Sequence, residues 1–154
     1  MKLKHKQAYM ETAEVFAKCS VGKRLKVGAV IVKDNRIISC GYNAHPKHID
    51  GPLEDDENKT LPTVRHAEKS ALMGLLRAGI SPIGASMFVT HACCRDCAID
   101  VVDSGISNVY YKTDYRSSEG VEYLKKNNVF VEKFDTSGVQ LLQQHGVTVE
   151  KYQP

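Results

Sequence analysis

Two different hydrophobic patterns occupy the N-terminal part of the chain. Over residues 7–19 the apolar side chains recur at near-helical spacing, which predicts a helix that ends near residues 20–22. Residues 26–32 and 36–40 are instead rich in β-branched side chains and are separated by an Asp-Asn pair. This second pattern predicts a β-hairpin that follows the helix.

Helical and strand patterns alternate through the middle of the chain. The elements they predict are a helix from Thr63 or Val64 to Gly79, a strand over 85–90, a helix that contains Cys94 and Cys97 and ends at Gly105, and a strand over 108–112. Strands that alternate with helices pair in parallel through crossover connections. The sequence therefore predicts an α/β fold with a mixed sheet, in which an N-terminal hairpin adjoins parallel strands.

The C-terminal part contains an internal repeat. Residues 120–134 are echoed by residues 138–152, and each copy has the pattern of a short helix followed by a strand. Two copies are too few for a solenoid. We expect a single domain over 1–154, with an extra helix-strand unit near 137–152 at the edge of the sheet.

A long polar loop over 45–62 separates the hairpin from the next helix. It carries the acidic run 54–57. Loops of this length in a compact domain are usually functional or mobile. We interpret the acidic residues as solvent-facing, although a Mg²⁺ ion bound to a nucleotide would also suit them.

The charge of the chain is small and dispersed. The 154 residues carry a formal net charge of +3 with 25% charged residues, and 42% of the residues are hydrophobic. Proteins that bind polynucleotides usually present a denser basic face. The composition therefore disfavours a nucleic-acid partner and permits a small phosphorylated ligand.

The cysteine content indicates a reducing compartment. Five cysteines are an odd number, and no apolar segment typical of a signal peptide follows the basic N-terminus. No apolar run approaches the roughly 18 residues that a membrane span requires. We therefore expect a cytoplasmic protein that does not associate with membranes.

Two short motifs carry the candidate chemistry. His66 is followed two residues later by Glu68, and Cys94 is followed three residues later by Cys97. His-x-Glu with a later Cys-x-x-Cys is the signature of the zinc nucleobase deaminases, in which the Glu is not a metal ligand. His66, Cys94 and Cys97 would bind one Zn²⁺ ion per subunit and leave a fourth position for water, which is the mark of a catalytic site.

The residue types suit this division of roles. A neutral imidazole and two thiolates cancel the charge of Zn²⁺, so the metal acidifies its water less strongly than an all-histidine site would. A nearby base must then complete the deprotonation, and Glu68 can take that proton and deliver it to a ring nitrogen of the substrate. Thiolates at the start of a helix are also favoured by the helix dipole.

Alternative interpretations exist for several of these residues. A structural zinc ion would have a fourth protein ligand, for which Cys93 and His91 are the candidates. Cys19 and Cys40 are most simply small buried side chains. Together with His45 and His48 they could form a second zinc site, although their spacing is irregular. Tyr115 and Arg116 could contact a base and a phosphate, or lie on the surface.

The chain resembles the deoxycytidylate (dCMP) deaminases of the cytidine deaminase superfamily. The matching segments are 26–31, 41–43, 66–68, 84–91, the cysteine pair, 104–106 and 115–116. The resemblance implies a three-layer α/β/α fold, a homo-oligomer that is commonly a hexamer, and hydrolysis of dCMP to dUMP for thymidylate synthesis. It also implies activation by dCTP with Mg²⁺ and inhibition by dTTP.

The resemblance further implies roles for individual residues. Asn43 would hold the sugar hydroxyl, and backbone groups of Ala67 and Ala92 would hold the pyrimidine edge. Tyr115 would contact the ring and the phosphate. The candidates for neutralising the phosphate are Arg24, Lys26 and Arg116. The candidates for an allosteric nucleotide site are Gly41, Tyr42, Asn43 and Ala44.

Three positions depart from the pattern of this family. Cys93 replaces the proline that precedes the first ligand cysteine, which introduces an alternative thiol. Ala44 replaces a glycine in the segment associated with the effector nucleotide, and Ser70 replaces an asparagine after the His-Ala-Glu motif. The spacing of Cys94 and Cys97 is that of the family, so we assign these two as ligands.

Two rival functions remain open at this stage. One is a deaminase with the same chemistry that acts on free cytidine, deoxycytidine or an adenosine in tRNA. The other is a zinc-stabilised interaction module without catalytic activity. The two differ in their requirement for Glu68, because a structural zinc site has no use for a neighbouring proton carrier.

Overall fold

A computed structural model describes residues 1–135 of the chain. Its helices and strands, in chain order, are α1 (Leu3–Ala17), β1 (Gly28–Lys33), β2 (Arg36–Tyr42), α2 (Ala67–Ala78), β3 (Ser86–His91), α3 (Arg95–Ser104), β4 (Asn108–Thr113), α4 (Glu119–Lys126) and β5 (Phe130–Lys133). None of the helices in this part of the chain has the length and apolar composition needed to cross a membrane.

The five strands form one mixed sheet in the order β2-β1-β3-β4-β5. Strand β1 is antiparallel to both of its neighbours, whereas β3, β4 and β5 run parallel. The predicted hairpin is confirmed: Asp34 and Asn35 at its turn have φ values of 51° and 57°. Positive φ at both central residues is what a two-residue hairpin turn of type I′ requires.

Helices cover both faces of the sheet. On one face, Met10 and Ala13 of α1 pack in a cluster with Val30 and Phe88. On the other face lies a cluster that includes Ala71 of α2, Ala98 of α3 and Leu124 of α4, together with Ile31 and Met87. Neighbouring strand residues thus point to opposite apolar layers. This arrangement confirms the expected three-layer α/β/α fold with a mixed central sheet.

Helix α1 begins earlier than the predicted residue 7. Its first residue, Leu3, is buried, and the ammonium group of Lys6 lies 3.3 Å from the Glu132 carboxylate. Glu132 belongs to β5, so the first turn is held by contacts with a distant strand. Hydrophobic periodicity within the helix carries no information about such contacts.

Helix α2 begins later than predicted, at Ala67 rather than at Thr63 or Val64. The two residues before it do not have helical structure, because Arg65 and Ala44 pair through two backbone hydrogen bonds of 2.9 and 3.1 Å. His66 follows with extended dihedral angles and occupies the N-cap position. Glu68 therefore lies in the first turn of α2, whereas His66, which the predicted helix included, precedes the helix.

The first copy of the internal repeat forms α4 and β5 at the edge of the sheet. The second copy, with its expected helix-strand unit near 137–152, lies outside the described residues. That unit and the single-domain boundary 1–154 stay predictions.

Candidate metal centre and active site

The N-terminal ends of two helices bring three metal-binding side chains together. His66 is the N-cap residue of α2, Cys94 is the N-cap residue of α3, and Cys97 lies in the first turn of α3. The His66 Nδ1 atom is 3.2 Å from the Cys97 sulfur and 3.5 Å from the Cys94 sulfur. The three predicted ligands are therefore neighbours, although they come from distant parts of the sequence.

This donor set fits a zinc ion. One imidazole nitrogen and two sulfurs lie within 4.8 Å of one another, and one nitrogen with two sulfurs is a common set of zinc donors. Within residues 1–135, no fourth His, Cys, Asp or Glu belongs to the group. The described residues therefore supply three ligands, which is the number that leaves a coordination position for water or substrate.

The pKa values of the two candidate ligand cysteines are shifted in opposite directions. A hydrogen bond from the Cys97 side chain is the main cause that lowers the pKa of Cys94 to about 3, and a hydrogen bond with His66 acts in the same direction. The same pairing raises the pKa of the Cys97 thiol, to which burial also contributes. Within this pair Cys94 is the thiol that loses its proton more easily, and binding of zinc by both sulfurs would release the remaining proton.

Glu68 lies beside this group with its carboxyl shielded from water. The residue is 4% exposed and lines the same cavity as His66 and Cys94. Burial raises the pKa of the Glu68 carboxyl, and a hydrogen bond with the Cys93 side chain partly opposes that effect. A carboxyl group with a raised pKa holds a proton more readily than an exposed one, which suits a general acid and base.

Cys93 and His91, the two candidates for a fourth ligand, have other partners. The Cys93 thiol is buried and hydrogen-bonds Glu68, and burial raises its pKa well above the ordinary value. The His91 Nδ1 atom lies 3.0 Å from the Thr90 hydroxyl oxygen. Neither residue belongs to the metal-binding group of the described chain.

A cavity of about 630 Å³ opens over the metal-binding group. The sequence-predicted residues that line it, besides His66, Glu68 and Cys94, are Arg24, Asn43, Ala67, Ala92, Tyr115 and Arg116. Lys26 does not line this cavity and instead borders a shallower depression with Glu14 and Lys112. The structure therefore brings together all but one of the predicted substrate-binding residues.

The Asn43 side chain organises the segment that precedes β1. Its Oδ1 atom accepts a hydrogen bond from the Val27 N–H at 2.8 Å, and its Nδ2 atom donates to the Leu25 carbonyl at 2.7 Å. An amide group can donate two hydrogen bonds and accept two. Asn43 thus retains one donor and one acceptor site for a ligand.

Glu54 is a cavity residue that the sequence did not reveal as one. The acidic run was interpreted as solvent-facing, which is wrong for Glu54: the residue is only 7% exposed. Its Oε1 atom accepts hydrogen bonds from the backbone N–H groups of Lys23 and Arg24, at 2.8 and 3.1 Å. A buried Leu53 directly before it was the one signal in the sequence that this part of the loop turns inward.

The cavity has further residues that were not predicted. Lys59, Thr60 and Asp114 contribute to its wall. The Asp114 carboxylate forms an ion pair with the Lys133 ammonium, with 2.7 Å between Oδ2 and Nζ. The Lys59 ammonium lies 3.4 Å from the carboxylate of the exposed Glu57. The long loop and the residues after β4 therefore contribute to the cavity wall together with the metal-binding group.

Cys19 and Cys40 do not behave as expected. Both are exposed rather than small buried side chains. His45 contacts the Pro52 carbonyl at 2.9 Å and the Thr63 hydroxyl at 3.1 Å. The described residues contain no second group of three metal-binding side chains, so the structure does not assemble a second zinc site there.

Comparison of the sequence and comparison of the structure both find deaminases among the similar proteins. Residues 3–113 match the sequence model of the cytidine and deoxycytidylate deaminase zinc-binding region. The chain is 31% identical over 156 residues to the deoxycytidylate deaminase of Mus musculus, covering 95% of this chain and 78% of that protein. It is 32% identical over 152 residues to ComE operon protein 2 of Bacillus subtilis (strain 168), covering 94% of this chain and 69% of that protein.

The solved structures include a similar protein with nucleotides bound. The dCMP deaminase of the cyanophage S-TIM5, in complex with dCMP and dUMP, superposes with a TM-score of 0.85. Its sequence identity to this chain is 38%, and the match covers 87% of this chain and 99% of the phage protein.

Proposed function

Because the chain belongs to the cytidine and deoxycytidylate deaminases, a family whose shared region binds zinc, we propose that it hydrolyses dCMP to dUMP and ammonia. The observation that carries the proposal is one cavity that joins a three-ligand metal group, a buried carboxyl group and two arginines. We assign Glu68 as the catalytic residue and His66, Cys94 and Cys97 as the zinc ligands.

Zinc, when bound, lowers the pKa of a water molecule so that it can attack the amine-bearing carbon of the pyrimidine at neutral pH. Glu68 takes a proton from this water, holds it on its carboxyl group, and transfers it to the ring nitrogen. Glu68 would then take the proton of the hydroxyl group that the water has added and pass it to the amine, so that the carbon–nitrogen bond breaks, ammonia leaves and the ring keeps a carbonyl. Its burial favours the holding of the proton between the two steps, because burial raises the pKa of the Glu68 carboxyl.

Backbone groups at the ends of two elements are suited to the pyrimidine edge. Ala67 is the first residue of α2, where a helix offers no internal partner to the N–H group, so this N–H can donate to the ring carbonyl. The N–H of Ala92 already donates to the Thr113 carbonyl at 2.9 Å. Ala92 would therefore contribute its carbonyl oxygen rather than its N–H.

The rim of the cavity is suited to a phosphate group. Arg24 and Arg116 line it, and the guanidinium of Arg116 lies 5.5 Å from the centre of the Tyr115 ring. A guanidinium group can bind phosphate through two parallel hydrogen bonds. We propose that Arg24 and Arg116 neutralise the phosphate, that Tyr115 stacks near the ring, and that Asn43 contacts the sugar.

We also propose that the chain forms a homo-oligomer, with a hexamer as the expected form. Helix α2 and the loop after it expose a row of apolar side chains, namely Met73, Leu76, Ile80 and Ile83. Leu76 and Ile83 are 72% and 67% exposed. Apolar surfaces of this kind on a globular chain favour contact with another protein surface.

Regulation by dCTP with Mg²⁺ and by dTTP belongs to the same proposal. The candidate effector segment runs from Gly41 to Ala44, and Ala44 is hydrogen-bonded to Arg65 directly before the ligand His66. A nucleotide bound at this segment would therefore act on the start of α2. Assay of dCMP turnover with dCTP and Mg²⁺, and separately with dTTP, tests this part of the proposal.

The rival substrates are separated by one set of assays. Zinc-loaded enzyme would be given dCMP, deoxycytidine, cytidine and tRNA, and kcat/KM would be measured for each. We expect turnover of dCMP to exceed that of deoxycytidine, because only dCMP engages the arginines on the rim. Equal turnover of deoxycytidine would remove the phosphate-binding part of the proposal, and turnover of tRNA alone would replace the substrate.

A further inference from the structure

His91, the last residue of β3, lines the cavity but does not belong to the metal-binding group. Its Nδ1 atom lies 3.0 Å from the hydroxyl oxygen of Thr90. No hydrogen bond of the described residues involves its Nε2 atom. The one fully buried polar side-chain atom without a partner in residues 1–135 belongs to Glu54, so the unpartnered Nε2 atom of His91 is accessible.

The partners of Thr90 determine which nitrogen of the His91 ring carries the proton. Thr90 is 5% exposed, and its hydroxyl oxygen accepts a hydrogen bond from the Gly28 N–H at 3.2 Å. The proton of this buried hydroxyl group needs an acceptor, and the structure places the His91 Nδ1 atom there. Burial lowers the pKa of His91, which favours the neutral ring. The ring proton therefore lies on Nε2, which makes this atom a hydrogen-bond donor.

The Nε2 atom is on the cavity side of the ring. Thr90 borders the shallower depression with Lys26 and Lys112 but does not line the cavity, whereas His91 borders both. The two nitrogens of an imidazole ring point in different directions. Because Nδ1 is turned towards Thr90, Nε2 is turned towards the cavity.

The neighbours of His91 in the sheet place it beside the proposed phosphate contact. His91 pairs with Thr113 of the parallel strand β4, and the Ala92 N–H donates to the Thr113 carbonyl at 2.9 Å. Residues 114–116, which follow Thr113, line the same cavity and end with Arg116. In parallel strands, the residues after the two carboxyl ends leave the sheet at the same edge. His91 and Arg116 therefore lie on neighbouring parts of the cavity wall.

The partner of the Nε2–H group must be a hydrogen-bond acceptor. Asp114 is the carboxylate of the adjoining segment, and it is already paired with the Lys133 ammonium at 2.7 Å. The ring carbonyl of the pyrimidine has its own donor in the Ala67 N–H under the proposed function. A phosphate group offers several acceptor oxygens, more than one guanidinium fills, and its negative charge strengthens the hydrogen bonds that it accepts. Phosphate is therefore the acceptor that suits this donor best.

We propose that His91 is a specificity-determining residue whose Nε2–H group donates a hydrogen bond to the 5′-phosphate of the substrate. This inference rests on the proposed function and adds a neutral donor to the two arginines of the cavity rim. Because Thr90 fixes the orientation of the ring at the end of a strand, His91 selects for the position of the phosphate as well as for its charge. A nucleoside, which has no phosphate, gains nothing from this contact.

The test is the ratio of kcat/KM for dCMP to kcat/KM for deoxycytidine, measured in wild type and in variants of His91. We expect the ratio to fall about 10-fold in His91→Leu, the lower end of the range for a hydrogen bond to a charged group. His91→Gln should restore most of the ratio, because its amide nitrogen can donate from about the position of Nε2. His91→Asn should not restore it, because its shorter amide lies near the position of Nδ1. The exposed His48→Leu, outside the cavity, is the control and should keep the wild-type ratio.

The failure of this inference and the failure of the proposed function give different results. If His91→Leu keeps the wild-type ratio, or if kcat/KM falls by the same factor for both substrates, His91 does not contact the phosphate although dCMP deamination stands. If wild type does not turn over dCMP, the proposed function fails and this inference fails with it.

Should His91→Leu not fold, a crystal of the wild-type protein with the product dUMP decides the question. A distance of about 2.7–3.2 Å from Nε2 to a phosphate oxygen supports the proposal, and a distance beyond about 3.5 Å overturns it.

Discussion

The Cα atom of Gly120 lies directly against the carbonyl oxygen of Cys93, so that a Cβ atom built on Gly120 would overlap it. Gly120 is in the first turn of α4, and Cys93 precedes the ligand Cys94. Helix α4 therefore packs against the turn that carries Cys94, one of the three proposed zinc ligands. We predict that Gly120→Ala displaces this turn, lowers stability by about 1–3 kcal/mol and weakens zinc binding.

The measurement is a competition for zinc with a chromophoric chelator, together with chemical denaturation. Lys125→Ala is the matched control, because Lys125 lies on the exposed side of the same helix. The control should keep wild-type zinc affinity. Equal zinc affinity in Gly120→Ala and wild type would mean that α4 does not position Cys94.

The ligand register is tested by the two adjacent cysteines. Cys94 contacts His66 and belongs to the metal-binding group, whereas the Cys93 thiol is buried against Glu68. We predict that Cys94→Ala loses zinc and that Cys93→Ala retains about one zinc ion per chain, as measured by atomic absorption after gel filtration. Loss of zinc from Cys93→Ala with retention in Cys94→Ala would show that the assigned register is wrong.

Glu68 separates a catalytic from a structural zinc site. The side chain lines the cavity beside the metal-binding group but is not part of that group. We predict that Glu68→Gln keeps its zinc and fold while kcat falls by roughly 10²–10⁴-fold, which is the usual contribution of a positioned acid and base. Glu122→Gln, at an exposed position on α4, should leave both unchanged. Loss of zinc together with activity would instead give Glu68 a structural role.

The metal-binding group could be predicted from the sequence because its information is local. His66 and Glu68 lie in one short motif, Cys94 and Cys97 in another, and each motif falls at a helix start where side chains converge. The sheet pattern was predictable for the same reason, since strands and helices have distinct periods. Predictions of this kind need only the identity of residues that are close to one another in the sequence.

The features that could not be predicted depend on distant partners. Glu54 is buried because it binds the amides of Lys23 and Arg24, about thirty positions earlier in the chain. Lys26 belongs to the same basic segment as Arg24, yet it borders a different depression, because the course of the backbone into β1 decides which side each residue faces. Neither outcome can be derived from composition or spacing.

The contrast between Arg116 and Lys26 tests the phosphate contact. Arg116 lines the cavity and Lys26 does not. We predict that Arg116→Ala lowers kcat/KM for dCMP by about 10-fold, the lower end of the range for a charge-assisted hydrogen bond, because this arginine is exposed. Turnover of deoxycytidine should not change, and Lys26→Ala should behave like wild type. A larger loss in Lys26→Ala would place the phosphate in the neighbouring depression.

Glu54 also predicts how stability depends on pH. The backbone hydrogen bond from Arg24 lowers the pKa of Glu54 in the folded state, so the charged form stabilises the fold. For a carboxylate with a lowered pKa, this contribution is complete above the unfolded-state pKa of about 4.3 and is lost as the pH falls through the folded-state value. We therefore predict that wild type is more stable than Glu54→Gln at pH 7, and that the difference in free energy of unfolding shrinks below about pH 4.

Urea denaturation of both proteins at each pH measures this difference, and Glu57→Gln is the control. Zinc release at acid pH lowers the stability of all three proteins alike, so it does not change the difference between them. A difference that stays constant down to pH 3 would mean that the charge of Glu54 does not hold the 23–24 segment in place.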